Sequence, residues 1–135
     1  MEASEEVRDG YLRFCDAVKA NDVGSFDEVV SGNEATLVIG TAPSERITDR
    51  ERLKFGFRTE GYWIEPSALV AYAEGGMGWV TDDVTLHFPD GTGVATRITA
   101  VLVKEGGAWR LVHAHFSVGV PDEEVADLQE RWGKG

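Results

Sequence analysis

Apolar and polar side chains alternate most clearly in two runs near the end of the chain, at residues 97–105 and 108–118, on either side of Gly106 and Gly107. Both runs are rich in Val, Ile, Thr, Phe and Trp, which favour strands. A pair of glycines readily adopts the positive φ angles of a tight turn. The pattern therefore predicts a β-hairpin.

A regular register for this hairpin places Leu102 opposite Leu111, Ala100 opposite His113 and Ile98 opposite His115. Each face is too apolar for exposure to water, so we expect both to be covered. The first face carries Ile98, Ala100, Leu102, Trp109, Leu111, His113, His115 and Ser117. The second carries Arg97, Thr99, Val101, Val103, Arg110, Val112, Ala114, Phe116 and Val118.

Helical spacing of apolar residues dominates the first half of the chain. Ser4 is placed to cap the first helix, since apolar residues follow it at intervals of three and four. Capping-box patterns at residues 25–28 and 48–51 predict two further helices, the last of which reaches Gly61. A buried strand is expected between these two helices, at residues 35–40.

The second half of the chain has the punctuation of a β-meander. Strands are predicted at residues 67–74 and 77–88, joined through Gly75 and Gly76, and a loop at 89–93 leads into the hairpin. A short amphipathic helix is predicted at residues 121–132. Because helices come first and strands follow, the order indicates an α+β fold.

Composition narrows the classes of function. The chain has 135 residues, which fits one domain, 1–135, and carries 13 Lys and Arg against 24 Asp and Glu for a net charge of -11. This charge repels nucleic acid and anionic lipid, so neither is expected as a partner. No apolar run is long enough for a membrane span and the acidic start lacks an export pattern, so we expect a cytoplasmic protein. The lone Cys15 is expected to be a small buried core residue.

Three helices followed by a long antiparallel sheet that closes on Trp-Arg-Leu-Val-His-Ala-His-Phe-Ser, residues 109–117, resemble the SnoaL-like branch of the nuclear transport factor 2-like superfamily. The closing motif is also similar to that of the association domain of calmodulin-dependent kinase II. Gly40 and Thr41, with Glu45 before the third helix, resemble the corresponding segment of small SnoaL-like proteins.

The resemblance implies a cone-shaped fold, in which the concave face of the sheet and the helices enclose a pocket. It also implies that the opposite face of the sheet commonly forms a dimer interface. We therefore expect the histidine-bearing face to line a pocket for a small apolar molecule, and the other face to form a homodimer. The interface would contain Val101, Val112, Phe116 and Val118.

An Asp-His pair is the leading candidate for chemistry. The predicted register places Asp82 near Ala100, opposite His113, so Asp82 would orient His113 as a general base. A bulge would present Asp83 instead. The simpler alternative is a solvent-exposed carboxylate and a core histidine. No cofactor is expected, and no metal, because His113 and His115 lack further ligands for a complete shell.

Further residues are candidates for binding. His115, Ser117 and Trp109 share the predicted pocket face. Glu45 lies in a loop over the expected mouth, where it is either an alternative acid or base or simply an exposed loop carboxylate. Trp63, at the end of the third helix, is expected to shape the rim. Tyr11 is a candidate through the resemblance, because ketosteroid isomerase uses a tyrosine of its first helix. It fits the apolar stripe of that helix equally well.

Two functions follow as expectations. The first is proton-transfer chemistry, such as isomerisation, dehydration or cyclisation, on a largely apolar substrate. The second is a non-catalytic binding or oligomerisation module. Since proteins similar to this one include both classes, the fold alone does not choose between them.

Overall fold

The structure, a computed structural model, describes residues 1–134. Its helices span Glu5–Lys19 (α1), Phe26–Val29 (α2), Arg50–Leu53 (α3), Phe55–Arg58 (α4) and Asp122–Trp132 (α5), with a 3-10 turn at Val23–Ser25. Its strands span Glu2–Ala3 (β1), Leu37–Ile39 (β2), Arg46–Ile47 (β3), Trp63–Pro66 (β4), Val70–Glu74 (β5), Met77–His87 (β6), Gly93–Glu105 (β7) and Ala108–Ser117 (β8).

One mixed sheet forms the framework, with strand order β1-β5-β6-β7-β8-β2-β3 and with β4 also paired to β6. Strands β5 to β8 form the predicted antiparallel meander. Strand β2 returns from the helical half and joins β8 in parallel, which makes the sheet mixed. The predicted α+β fold is confirmed, and helices α1 and α2 pack against this curved sheet.

A β-bulge at Val112 changes the register of the closing hairpin. Leu102 lies opposite Leu111 as predicted, but Val101 lies opposite His113, which leaves Val112 as the extra residue. Farther from the turn, Ile98 therefore pairs with Phe116 instead of with His115. Because one extra residue exchanges the two faces of a strand, the prediction for residues 113–117 is wrong.

The face of the sheet that packs against α1 is called the inner face here, and the opposite one the outer face. Ala114 and Phe116 are buried on the inner face. His115 is exposed and His113 half-buried on the outer face, beside Val101. Phe116 is therefore not part of the outer surface, and Val118 lies beyond the end of β8. The predicted set of interface residues is therefore corrected at Phe116, whereas Val118 is exposed.

Helix α1 covers the inner face as its apolar stripe predicts. The Ser4 hydroxyl accepts a hydrogen bond from the Val7 N–H at 3.1 Å, which confirms the predicted cap. Gly10 allows α1 to approach the sheet closely, since a Cβ there would lie 3.0 Å from Leu102 Cδ2 and from Trp109 Cβ. The buried side chains of α1 are Val7, Tyr11, Phe14, Cys15, Ala17 and Val18.

The other two N-terminal helices are shorter than predicted. The Ser25 hydroxyl donates to Asp22 at 2.7 Å and caps no helix. The N-cap of α3 is Asp49, whose carboxylate accepts from the Glu51 and Arg52 N–H groups, instead of Thr48. The third helical region divides at Lys54 and ends at Arg58. The chain then enters β4, which places Trp63 in a strand where the sequence predicted the end of a helix.

Candidate functional site

An apolar cavity of about 210 Å³ lies between the inner face of the sheet and the helices. Its deep wall is made of core side chains. They come from α1 and α4 and from the inner residues of β4, β6 and β8, which surround this space without filling it. Phe14 and Phe57 pack edge to face across this wall, with ring centroids 5.8 Å apart. The deep lining residues are Phe14, Val18, Val30, Phe57, Ile64, Leu86, Leu111 and Phe116.

Exposed lining residues mark the opening of the cavity. Thr41, Arg52 and Phe55 line it and are exposed, and the Phe55 side chain is 63% accessible. Tyr62 stands between two aromatic neighbours, with ring centroids 5.9 Å from Phe55 and 6.0 Å from Phe88. Edge-to-face contacts of this kind hold aromatic rings in place. The opening is therefore an aromatic rim with a few polar groups.

Glu45 is held at this rim by the tight turn between β2 and β3. The Gly40 N–H donates to the Glu45 C=O at 2.8 Å, and Glu45 Oε1 accepts from the Ala42 N–H at 2.9 Å. A Cβ at Gly40 would lie 2.8 Å from Glu45 Cδ and Oε2, so only glycine leaves room for this carboxylate. The structure places Glu45 among the lining residues, in the loop where the sequence placed the mouth.

Tyr62 brings a neutral hydroxyl to the same rim. Burial, and then the negative charge of Glu45, raise the pKa of Tyr62 to about 12. The phenol therefore keeps its proton at physiological pH and acts as a hydrogen-bond donor. Gly56 lies beneath the ring, since a Cβ there would be 3.0 Å from Tyr62 Cε1. Tyr62 was not selected from the sequence, although its place beside the predicted rim residue Trp63 was an available signal.

Asp82 is buried on the inner face, but in a different network from the one predicted. Its carboxylate accepts hydrogen bonds from the Tyr11 hydroxyl at 3.0 Å and from the Ser67 and Ala68 N–H groups at 3.2 and 2.8 Å. Burial first, and then Cys15 and Asp82, raise the pKa of Tyr11. Tyr11 and Asp82 do not line the cavity. They form a buried, hydrogen-bonded pair between α1 and β6.

The predicted Asp82–His113 pair is not formed, because the two side chains lie on opposite faces of the sheet. Asp82 is 3% exposed, on the inner face, and pairs with Ile98, whereas His113 pairs with Val101 on the outer face. The Nδ1–H of His113 donates to the Leu37 C=O at 2.8 Å, and a carbonyl only accepts, so this contact fixes the tautomer. The shared cavity predicted for these residues is wrong.

The remaining predicted binding residues also lie away from the cavity. Ser117 is on the outer face, where its hydroxyl accepts from Arg97 Nε at 3.3 Å. Trp109 is buried beneath α1, and its Nε1–H donates to Glu6 at 3.1 Å. Trp63 stacks on His87 with ring centroids 4.0 Å apart, and Lys19 lies over the ring. Of the predicted site residues, the structure brings only Glu45 to the cavity.

No group of three or more His, Cys, Asp and Glu side chains in residues 1–134 is close enough together to hold a metal ion. No helix within the same residues combines the length and the apolar character needed to cross a bilayer.

The sequence profile of the SnoaL-like domain matches residues 7–121. The chain belongs to the SnoaL-like domain family. No curated protein matches this SnoaL-like chain at a significant level.

Solved structures share the fold of this SnoaL-like chain at low sequence identity. A nuclear transport factor 2-like superfamily protein from Salmonella enterica is 16% identical, with a TM-score of 0.71 over 87% of this chain and 92% of that one. A candidate ketosteroid isomerase from Shewanella frigidimarina is 14% identical, with a TM-score of 0.68 over 84% and 96%. The association domain of C. elegans CaMKII is 16% identical, with a TM-score of 0.68 over 84% and 94%. These similarities confirm the resemblance and establish the fold.

Proposed function

We propose that this SnoaL-like protein binds a small, largely apolar molecule in the cavity between its sheet and its helices. The observation that carries the proposal is the lining itself, in which aromatic and aliphatic walls surround a few polar groups at one opening. Sites for small molecules have this composition, because apolar walls supply binding energy and a few polar atoms fix orientation. The fold alone does not support the proposal, since related folds serve different functions.

The cavity proposal is tested with a neutral aromatic probe and a variant that blocks the opening. Leu53 lines the cavity and is half-buried. Leu53→Trp should fill part of the space, while Val23→Trp adds the same side chain at a 40% exposed position outside the cavity. Indole added to wild-type protein should shift amide NMR signals around the cavity. Leu53→Trp should abolish these shifts and Val23→Trp should retain them. Shifts that persist in Leu53→Trp would contradict the proposal.

Proton transfer is a second candidate, favoured by the position of Glu45 beside Tyr62. Both groups line the cavity, and burial first, then the charge of Glu45, raise the pKa of the Tyr62 phenol. A carboxylate that removes a proton, next to a neutral hydroxyl that donates to a developing oxyanion, is a workable pair for isomerisation or dehydration. Glu45 thus replaces His113 as the candidate base.

The proton-transfer candidate is tested through exchange of carbon-bound hydrogen. A cyclic ketone such as 2-tetralone, incubated with the protein in D₂O, should exchange the hydrogens next to its carbonyl faster than in buffer. Glu45→Gln should lower the rate by about 100-fold or more, the usual range for loss of a general base. Tyr62→Phe should lower it less. Equal rates in wild-type protein, Glu45→Gln and buffer would leave binding as the function.

A homodimer through the outer face of the sheet is proposed as well. A row of neighbouring side chains crosses five strands, from Tyr72 through Trp79, Val101 and His113 to Leu37. Each is half-buried in the single chain, and all but His113 are aliphatic or aromatic, so part of this row is available for contact with a second chain. Val101 keeps its proposed place in the interface, with Tyr72 and Trp79 in place of Phe116.

A further inference from the structure

Arg52 is the basic side chain at the opening of the cavity. It lies in α3, and the carboxylate of the N-cap Asp49 accepts from its backbone N–H at 3.3 Å, which fixes the backbone at this position. Its side chain is exposed and lines the cavity together with the rim residue Phe55. The guanidinium is therefore attached to a fixed piece of backbone beside an apolar space.

The three other basic residues within residues 50–58 are each paired with a carboxylate. Arg50 contacts Asp27 at 2.7 Å, and Lys54 and Arg58 each contact Glu51 at 3.1 Å. Within residues 1–134, the Arg52 guanidinium has no carboxylate oxygen within 4.0 Å and donates no hydrogen bond. Other arginines of the described chain also lack a carboxylate partner, but among the residues that line the cavity Arg52 is the one with a cationic side chain.

Glu45 does not supply that partner, although it lines the same cavity. Its Oε1 is occupied by the Ala42 N–H, and its side chain packs against Gly40 instead of reaching toward α3. The rim thus presents one fixed carboxylate and one unpaired guanidinium that do not neutralise each other directly.

We propose that Arg52 binds a carboxylate of the ligand at the opening while the apolar body of the ligand occupies the cavity. The inference rests on the proposed binding function and adds the chemical class of the ligand, an apolar monocarboxylate. A guanidinium pairs with a carboxylate through two parallel N–H···O bonds, which a neutral amide or alcohol does not reproduce. A single arginine matches one carboxylate, whereas no second lining cation is present in the described chain to receive a phosphate dianion.

The test compares an acid with its neutral analogue in matched variants. The probes are 3-phenylpropanoate and 3-phenylpropanamide, which share one apolar body, titrated by isothermal calorimetry or NMR. The acid should bind wild-type protein about 10-fold more tightly than the amide, the effect of one charge-assisted contact. Arg52→Gln should remove that advantage and leave amide binding unchanged, and Arg52→Lys should restore part of it. Arg13→Gln, an exposed arginine of α1 outside the cavity, is the control.

Each result distinguishes this inference from the function on which it rests. Equal affinity for acid and amide in wild-type protein would overturn the role of Arg52 and keep the cavity as a binding site. Equal acid affinity in wild-type protein and Arg52→Gln would do the same. Binding of neither probe, with the indole test also negative, would overturn both. An equal loss of acid affinity in Arg13→Gln would assign the effect to overall charge and overturn the specific contact.

Discussion

At the scale of single residues, Tyr11 and Asp82 show how surroundings decide the role of reactive groups. A tyrosine and a carboxylate in contact would be a candidate for catalysis if they faced the cavity. Here both are buried, and Asp82 receives hydrogen bonds from Tyr11, Ser67 and Ala68. A buried carboxylate is stable only when such donors replace water. The pair therefore stabilises the contact between α1 and the sheet.

Tyr11→Phe should lower the free energy of unfolding by about 1–3 kcal/mol, because it removes one donor from a buried carboxylate. Urea denaturation at pH 7 measures the change. The control is Tyr72→Phe, since Tyr72 is half-buried on the outer face, stacked on Trp79 with centroids 5.0 Å apart. That control should change stability by less than about 0.5 kcal/mol. Equal effects of the two substitutions would show that the Asp82 contact contributes nothing.

Cys15 gives a prediction for alkaline pH. Burial raises the pKa of the Cys15 thiol to about 12, whereas the unfolded chain has an ordinary thiol near about 8.5. Between these values the unfolded chain releases a proton that the folded protein keeps, so stability falls as pH rises. The contribution of one group is up to about 1.4 kcal/mol per pH unit. Cys15→Ala should make the fall in stability between pH 9 and pH 11 shallower by about that slope, measured by urea denaturation. Parallel curves for the two proteins would contradict the prediction.

At the scale of elements, the bulge in β8 decides which side chains reach the cavity. Before Val112 the inner residues are Trp109 and Leu111, and after it they are Ala114 and Phe116. The sequence contains this signal, since the apolar positions change from odd to even numbers across Val112. A hairpin without a bulge would place His113 opposite Ala100, where the structure has Ala114.

Insertion of one alanine between Ala114 and His115 should unfold the protein or destabilise it by more than about 3 kcal/mol. The inserted residue would move Phe116 to the outer face, and the loss of its burial alone costs that much. Deletion of Val112 should have a much smaller effect, because Leu111 and His113 would then follow each other without a bulge and keep their present partners Leu102 and Val101. Thermal unfolding followed by circular dichroism measures both effects. A deletion as damaging as the insertion would contradict this role of the bulge.

At the scale of the whole molecule, the net charge opposes association of two chains, whereas an apolar surface favours it. The net charge of -11 keeps copies of the chain apart in general, so association requires a surface that outweighs this repulsion. We propose the row through Trp79, Val101 and His113 on the outer face as this surface. The cavity opens on the inner side of the sheet, and a dimer through the outer face would therefore leave the opening free.

Val101→Lys should convert the proposed dimer into a monomer, because it places a charge at the centre of the apolar row. One chain has a mass of 14.7 kDa. Light scattering at micromolar concentration should give twice this mass for wild-type protein and this mass for the variant. Val23→Lys, on the 3-10 turn away from the outer face, should remain dimeric. A monomeric wild-type protein would refute the interface.

Much of the fold follows from local patterns. The cap at Ser4, the apolar stripe of α1, the glycine turns and the order of the meander strands are properties of neighbouring residues, and they were predicted correctly. The strand lengths were less accurate, since β5 begins at Val70 instead of residue 67 and β7 begins already at Gly93. Short elements held by distant partners were not. Strands β1, β3 and β4 form because they pair with the edges of β5, β2 and β6. No local sequence pattern predicts such long-range pairing.

The candidate site was less accessible to prediction from sequence. Glu45 was selected because it precedes a helix in a loop over the expected mouth, and that position depends on local turn geometry. Tyr62 and Arg52 line the opening only because the segments that carry them pack beside the cavity in the folded chain. His113 was selected from a register that the bulge displaces. Each error lies where long-range contacts determine the direction of a side chain.

The sequence by itself determined the acidic charge, the order of helices and strands, and the family resemblance, because composition and local periodicity are written along the chain. Only the tertiary structure decided which face each side chain of β8 takes. A shift of one residue in register exchanges the two faces of a strand. The pairing of β8 with β7 and β2 determines this register. The same pairing sends Phe116 into the cavity and both histidines out of it.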